Sequence, residues 1–295
     1  MKQKQLSWYK KQDPWIFLFP TIVGLVFFRV GPIIVSFLIS FTDWDILRDA
    51  RFLGLENYKE LFLSSAFYQV FRNTLTFSFI YVCGVTIFGL LLALLLNQKL
   101  KGMKFFRSAF YTPVVTSAVA VGIIWSWILS PKYGILTILL NKIGIVSPYW
   151  LGDPSLALTT VALIQVWKMS GYYMIIFLAG LQNIPESLRE AARIDGAGKL
   201  KTFFKITLPL LTPTTFFVLS ISIIDSFKNF ELIYAITRGG PQNSTNTLVY
   251  DVYLNAFVYY RMGYSSALAY ILLAVVGLLT AFNFYGKKRW VQYQY

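Results

Sequence analysis

Long apolar runs constrain this chain before anything else. Residues 15–40 read WIFLFPTIVGLVFFRVGPIIVSFLIS, with Arg29 as the one charge, and residues 75–96 read LTFSFIYVCGVTIFGLLLALLL. A helix rises about 1.5 Å per residue, so about 20 such residues cross a hydrocarbon core of about 30 Å. Spans are expected at about 14–40, 72–97, 107–130, 155–181, 210–236 and 264–286. The fold class that follows is all-α, a polytopic membrane protein with six transmembrane helices. Its membrane domain covers 14–286, between an N-terminal segment 1–13 and a tail 287–295.

Composition supports the same solvent. Only 14% of the 295 residues are charged, against about 25% in a soluble chain. Pro20, Pro32, Pro113 and Pro213 fall inside or at the ends of spans, where neighbouring helices must satisfy the freed backbone groups. That favours a packed bundle over isolated anchors. The N-terminus is basic and then apolar, but the apolar stretch continues to Ser40 with no small-residue cleavage site, so it reads as a retained first span.

Placing the N-terminus inside puts Lys2, Lys4, Lys10, Lys11, Lys99, Lys101, Lys104, Arg107, Arg189, Arg193, Lys199, Lys201, Lys205, Lys287, Lys288 and Arg289 in the cytoplasm. Arg48, Arg51, Lys59, Arg72, Lys132, Lys142, Arg238 and Arg261 go outside, roughly half as many. Both termini are therefore expected inside a bacterial or archaeal cytoplasmic membrane. The net charge of +14 is distributed as topology signals are, which argues against nucleic acid as a partner.

Several chemistries lack their parts. Histidine is absent, and the one cysteine, Cys83, lies within an apolar run, so neither a disulfide framework nor the commonest base and metal ligand is present. A GxxxxGK[ST] phosphate loop is also missing, so ATP-driven activity needs a second polypeptide. Ion-coupled secondary transport would be expected to show midplane carboxylates and internal repeats; Asp225 and Glu231 stand almost alone, and the halves show no repeat. An intramembrane enzyme has little to build with here.

The stretch between the fourth and fifth spans is the most informative: NIPESLREAARIDGAGKLKTFFKITLPLLTP, residues 183–213. Asn183 is a plausible N-cap and Pro185 suits a first turn. Glu186 and Glu190 lie early in that helix, where acids favour the dipole. Ala191 and Ala192 leave a low surface, Gly196 can take the left-handed conformation that ends a helix, and a second short helix is expected over about 198–207.

This string resembles the EAA loop of binding-protein-dependent ABC importers, through Glu190-Ala191-Ala192, Asp195-Gly196-Ala197, Ile206, Leu208 and Pro209. FTDWD at 41–45 and Gly239-Gly240-Pro241 extend the resemblance to the carbohydrate-uptake permeases, in particular those similar to the larger permease of the maltose system. The chain departs from that subunit in carrying no large outer domain. The resemblance implies a type I importer fold, with the helix at 186–196 docking on a cytoplasmic ATPase subunit. It implies a second, non-identical permease, two ATPase subunits and an extracellular solute-binding protein as partners. No cofactor is expected on this chain itself, with ATP and Mg on the ATPase. Glu190, Ala191, Ala192, Asp195, Gly196 and Ala197 would couple to that ATPase.

Cargo is read from polar groups in the fourth and fifth spans, since such groups usually face a cavity or another helix. Aligned outward from the two motifs, the maltose permease's sugar-contacting positions fall on Gln165, Tyr172, Ser222, Asp225, Ser226 and Asn229, of which Tyr172, Ser222 and Asn229 keep the residue type. A sugar or oligosaccharide is the expected cargo, with another solute such as glycerol phosphate as the alternative. Lys168 and Lys228 could accept an anionic sugar. In the simpler reading Lys228 pairs with Asp225 or Glu231, each three residues away.

Overall fold

The computed structural model describes residues 14–98 and 100–291. The segment 1–13, Lys99, residues 292–295 of the tail and the side chains of residues 14–16 and of Arg189 lie outside the described residues. Within them the protein is helical, without a strand beyond an isolated bridge between Thr42 and Phe52.

In chain order, α1 (Phe17–Ile39) is apolar and leaves no residue buried within the chain. Then come the short α2 (Glu56–Leu63) and the long α3 (Ser65–Leu96). At about 48 Å, α3 outruns a hydrocarbon core. The Ser64 hydroxyl accepts from Phe67 N at its start, seven residues before the expected edge of this span. α4 (Met103–Val115) and α5 (Ala118–Ile128) follow, then α6 (Ile135–Lys142) and α7 (Ala157–Gln182). α8 (Glu186–Ile194) and α9 (Lys199–Leu210) form the loop before α10 (Thr212–Ser226), α11 (Glu231–Ile236), α12 (Leu248–Val258) and α13 (Met262–Trp290).

Two expected spans are not straight helices. The third bends by 98° between α4 and α5, and α9 meets α10 at 63°. Pro113 removes one ladder hydrogen bond in α4, and the hydroxyls of Thr112 and Thr116 bond back to Ser108 O and Thr112 O, each at 2.9 Å. The fifth span stops at Ser226 and restarts as α11, so Lys228 and Asn229 sit in a break and not on a helix.

Prolines elsewhere are absorbed differently. A π-helical turn over Val26–Val30 precedes Pro32, with Gly31 N bonded to Val26 O. Another, over Phe203–Thr207, precedes Pro209, with Leu208 N bonded to Phe203 O. The wider turn re-bonds donors beside a proline and lets the helix continue.

The residues fall into two compact units. One holds residues up to Leu63 with Leu254–Tyr270. There the FTDWD loop is tied by Asn57, whose Nδ2 donates to Ser40 O at 2.9 Å and Thr42 O at 2.8 Å. Asp43 accepts from Arg51 N at 2.8 Å, and Gly263 N donates to Trp44 O at 3.2 Å.

The other unit holds Ser64–Tyr253 with Ile271 onward. Its core is α3 against α7, with Phe77, Tyr81, Val85, Tyr173, Met174 and Phe177 buried. In lipid, helix association rests on close van der Waals packing, because the tails are as apolar as leucine. Glycine supplies that closeness. A Cβ on Gly89 of α3 would sit 2.9 Å from Tyr173 Cβ, and one on Gly171 of α7 would collide with Phe110 O of α4.

Candidate translocation cavity and coupling loop

Both broken spans meet at one place. A cavity of about 260 Å³ is lined by Tyr81 of α3, Ala118 at the start of α5, Gln165, Lys168 and Met169 of α7, Asp225 of α10, Lys228, Asn229 and Phe230 of the break, and Glu231 of α11. Gln165, Lys168 and Met169 share a helix face through their i, i+3, i+4 spacing. The second pieces of the two broken spans also touch: a Cβ on Gly122 of α5 would lie 3.0 Å from Ala235 Cβ of α11. Non-helical backbone at membrane depth survives where protein buries it or where it lines a cavity.

The wall is polar and mostly engaged. Tyr81 OH lies 3.5 Å from Tyr173 OH, which donates to Asp225 Oδ2 at 3.2 Å. Lys228 Nζ is 3.8 Å from Asp225 Oδ1, so the pairing expected on simple grounds is the one found. Lys168 Nζ donates to Val114 O in the last turn of α4 at 3.1 Å. Two groups stand apart: Gln165 Oε1 and Asn229 Nδ2 are buried with no hydrogen-bond partner among the described residues.

The structure therefore gathers Gln165, Asp225, Lys228 and Asn229 from the residues singled out in the sequence. Tyr172, Ser222 and Ser226 do not line this cavity. The Tyr172 ring packs edge-on to Tyr173 with centroids 5.2 Å apart. Ser222 Oγ donates back to Leu219 O at 3.2 Å and Ser226 Oγ to Ile223 O at 2.7 Å, and both residues are buried. Tyr81, Met169 and Phe230 join the wall without having been singled out; Tyr81 is one of several polar groups in its span, and composition alone does not mark it.

At the far end of α7, Asn183 closes that helix and is not the N-cap of the next; Pro185, with extended ψ of 131°, precedes α8. Glu186 lies in the first turn of α8. Asp195 ends it, and Gly196 follows at φ +76°. Gly196 N donates to Arg193 O at 3.0 Å and Ala197 N to Ala192 O at 2.8 Å, the paired bonds of a Schellman motif. Ala192 is buried, whereas Glu190, Ala191, Asp195 and Gly196 are exposed and Ala197 is half-buried. Ile194, Leu200 and Phe204 stand 86%, 76% and 60% exposed, an apolar surface on a polar loop.

The GGP loop is held by α3. Asn73 Nδ2 donates to Asn243 O at 2.9 Å and Asn246 O at 3.0 Å, Gln69 Nε2 to Gln242 O at 3.1 Å, and Thr74 Oγ1 accepts from Leu248 N at 2.8 Å. Gly239 takes φ +83°.

Residues 85–289 match the family described as the binding-protein-dependent transport system inner membrane component. The chain belongs to this family. It is an ABC transporter permease, the transport role that the EAA-like loop led us to expect. A probable ABC transporter permease of Bacillus subtilis (strain 168), YesP, is 40% identical over 288 residues, covering 95% of this chain and 92% of its own. The arabinooligosaccharides transport permease AraP of the same organism is 36% identical over 276 residues, covering 92% and 88%. Among solved structures, a chain of a bacterial ABC transporter involved in the import of the acidic polysaccharide alginate superposes with a TM-score of 0.84 at 25% identity, over 94% of this permease and 96% of that chain. The type I importer fold implied by the sequence is thus the fold found.

Proposed function

We propose that this permease forms half of an alternating-access pathway for a sugar or short oligosaccharide. The observation that carries the reading is the meeting of two broken spans at a polar cavity that holds an unengaged amide acceptor, Gln165 Oε1, and donor, Asn229 Nδ2. A sugar hydroxyl both donates and accepts, so it can satisfy the two together. At about 260 Å³ the cavity lies just under the range of about 300–1,000 Å³ typical of ligand clefts, which suits one sugar ring at a time. AraP is named for arabinooligosaccharides and the alginate importer for an acidic polysaccharide, so saccharide is the class they share and charge is where they differ. Both cations of the wall are engaged, one by Asp225 and one by a backbone carbonyl, and Glu231 adds a further negative charge. That favours a neutral polyhydroxy cargo over a phosphate or a uronate.

The remaining parts follow from the same reading. A second, non-identical permease completes the pathway, an extracellular solute-binding protein delivers cargo, and two cytoplasmic ATPase subunits carry ATP and Mg, leaving this chain without a cofactor of its own. Both termini lie in the cytoplasm of a bacterial or archaeal cell. α8 transmits ATPase closure through Glu190, Ala191, Ala192, Asp195, Gly196 and Ala197, with Ile194, Leu200 and Phe204 supplying apolar surface for contact. A rigid capped helix transmits a push that a loose loop would absorb.

The test is ATP hydrolysis by the complex purified with its co-expressed neighbours in nanodiscs, against binding proteins loaded with neutral oligosaccharides, uronates or glycerol phosphate. Stimulation by the neutral class is expected. Stimulation by glycerol phosphate alone would replace the cargo assignment, and the absence of a co-purifying ATPase would remove the coupling assignment.

A further inference from the structure

Lys168 is the buried cation of the cavity, 7% exposed, and no carboxylate lies within ion-pairing distance of it among the described residues. Its ammonium points instead at the bend of the third span, donating to Val114 O at 3.1 Å. The last carbonyls of a helix have no partner within the helix. At the end of α4, Thr112 O takes the Thr116 hydroxyl, and Val114 O takes Lys168. A short way along the same two helices, Gly171 lets α7 meet the α4 backbone at Phe110. α7 is thus a fixed wall from which Lys168 reaches across to the bend.

We propose that Lys168 is a positioning residue that pins the bend between α4 and α5 and couples its firmness to what occupies the cavity. An ammonium carries three donors, and one is engaged by Val114 O. The others can turn to an oxygen of a polar solute held beside Gln165 and Asn229, which line the same cavity. Solute and bend then share one cation. Asp225, Lys228 and Glu231 face the same space, so the field at Lys168 also depends on whether solute separates these charges. The cargo half of this proposal rests on the sugar reading above; the pin itself does not.

The test uses spin labels on Ser108→Cys and Ile124→Cys, two exposed positions flanking the bend, in a Cys83→Ser background. Pulsed EPR on the assembled importer should give one narrow distance distribution that shifts with cargo-loaded binding protein. Lys168→Met should broaden it without cargo and abolish the shift. Cargo-stimulated kcat should fall about ten-fold to a hundred-fold, the range for losing a hydrogen bond to a charged group, while the KM for binding protein changes little. Lys168→Arg, which keeps the donors, should restore the narrow distribution and distinguishes the pin from simple misfolding. A Lys168→Met complex with the wild-type distribution and response overturns the proposal. If no sugar stimulates the wild type, the sugar reading and the cargo half fall together, and the label width without cargo still decides the pin.

Discussion

Two polar side chains of the cavity wall keep a buried amide atom without a hydrogen-bond partner among the described residues, and two that looked equivalent in the sequence do not. Asn229 and Gln165 keep an unpartnered amide atom, whereas Ser222 and Ser226 bond back to carbonyls three residues earlier. Asn229→Ala and Gln165→Ala should therefore each raise the cargo concentration for half-maximal ATPase stimulation, by about five-fold to ten-fold for one lost hydrogen bond. Ser222→Ala and Ser226→Ala should leave it within about two-fold, because both serines are buried away from the cavity lining and spend their one donor on their own helix. Titrating loaded binding protein against the four variants checks both halves. A sequence identifies such residues as polar and span-embedded, which was enough to find Gln165, Asp225, Lys228 and Asn229. It does not say whether a hydroxyl satisfies itself on the preceding turn. Nor could it separate Tyr172 from Tyr173, since successive helical residues point about 100° apart and the neighbouring helix decides which one meets Asp225. Gly196 is the opposite case, because its φ of +76° was implied by the need to stop α8. Gly196→Val should weaken that stop by about 1–2 kcal/mol through the Cβ clash of the left-handed region. The expected result is normal membrane insertion with loss of cargo-stimulated hydrolysis; stimulated hydrolysis at the wild-type rate would remove α8 from the coupling path.

The elements show where hydropathy stops being informative. It located the six apolar regions, because burial in lipid needs length and little else. It could not distinguish a straight span from one broken into α4 and α5, since both have the same composition. Prolines marked candidate sites of distortion, yet their outcomes differ: π turns carry the helix past Pro32 and Pro209, while Pro113 precedes a 98° bend reinforced by two threonine hydroxyls. The deciding factor is what donates to the freed carbonyls, and at Val114 O that donor is a lysine from another helix. Close packing is equally hidden from hydropathy, which treats glycine as a neutral spacer. Gly171→Ala places a Cβ against Phe110 O where no side-chain rotation can relieve it, so α4 must move off α7. Overpacking of this kind costs about 1–3 kcal/mol. The purified complex should melt several degrees lower, measured by tryptophan fluorescence, while Gly277→Ala, whose Cβ meets nothing within 4 Å, should be neutral. Equal melting of the two variants would mean that the α4–α7 contact is looser than the geometry requires.

At the scale of the whole molecule the open quantity is orientation, since helices inserted either way up would have the same internal contacts. Charge decides it. Lys101, Lys104, Arg107, Arg193, Lys199, Lys201 and Lys205 cluster on the connections after the second and fourth spans, whereas the FTDWD and GGP connections carry fewer basic residues. The positive-inside rule would make the first group cytoplasmic, and the proposed coupling needs that side: α8 facing ATP and the GGP loop facing an arriving solute-binding protein. Ile194 and Asn243 are exposed residues on those two surfaces, and Cys83→Ser removes the one native thiol. A membrane-impermeant maleimide added to intact spheroplasts should modify Asn243→Cys and leave Ile194→Cys unmodified. Permeabilisation should then expose Ile194→Cys, unless an ATPase subunit covers it, in which case stripping the ATPase should restore labelling. Protection that depends on the ATPase would place the contact on the exposed apolar surface of α8 as well as fix its side of the membrane. Labelling of Ile194→Cys from outside would invert the topology, and the coupling role of Glu190 through Ala197 would fail with it, because no ATP-driven subunit could then reach this loop.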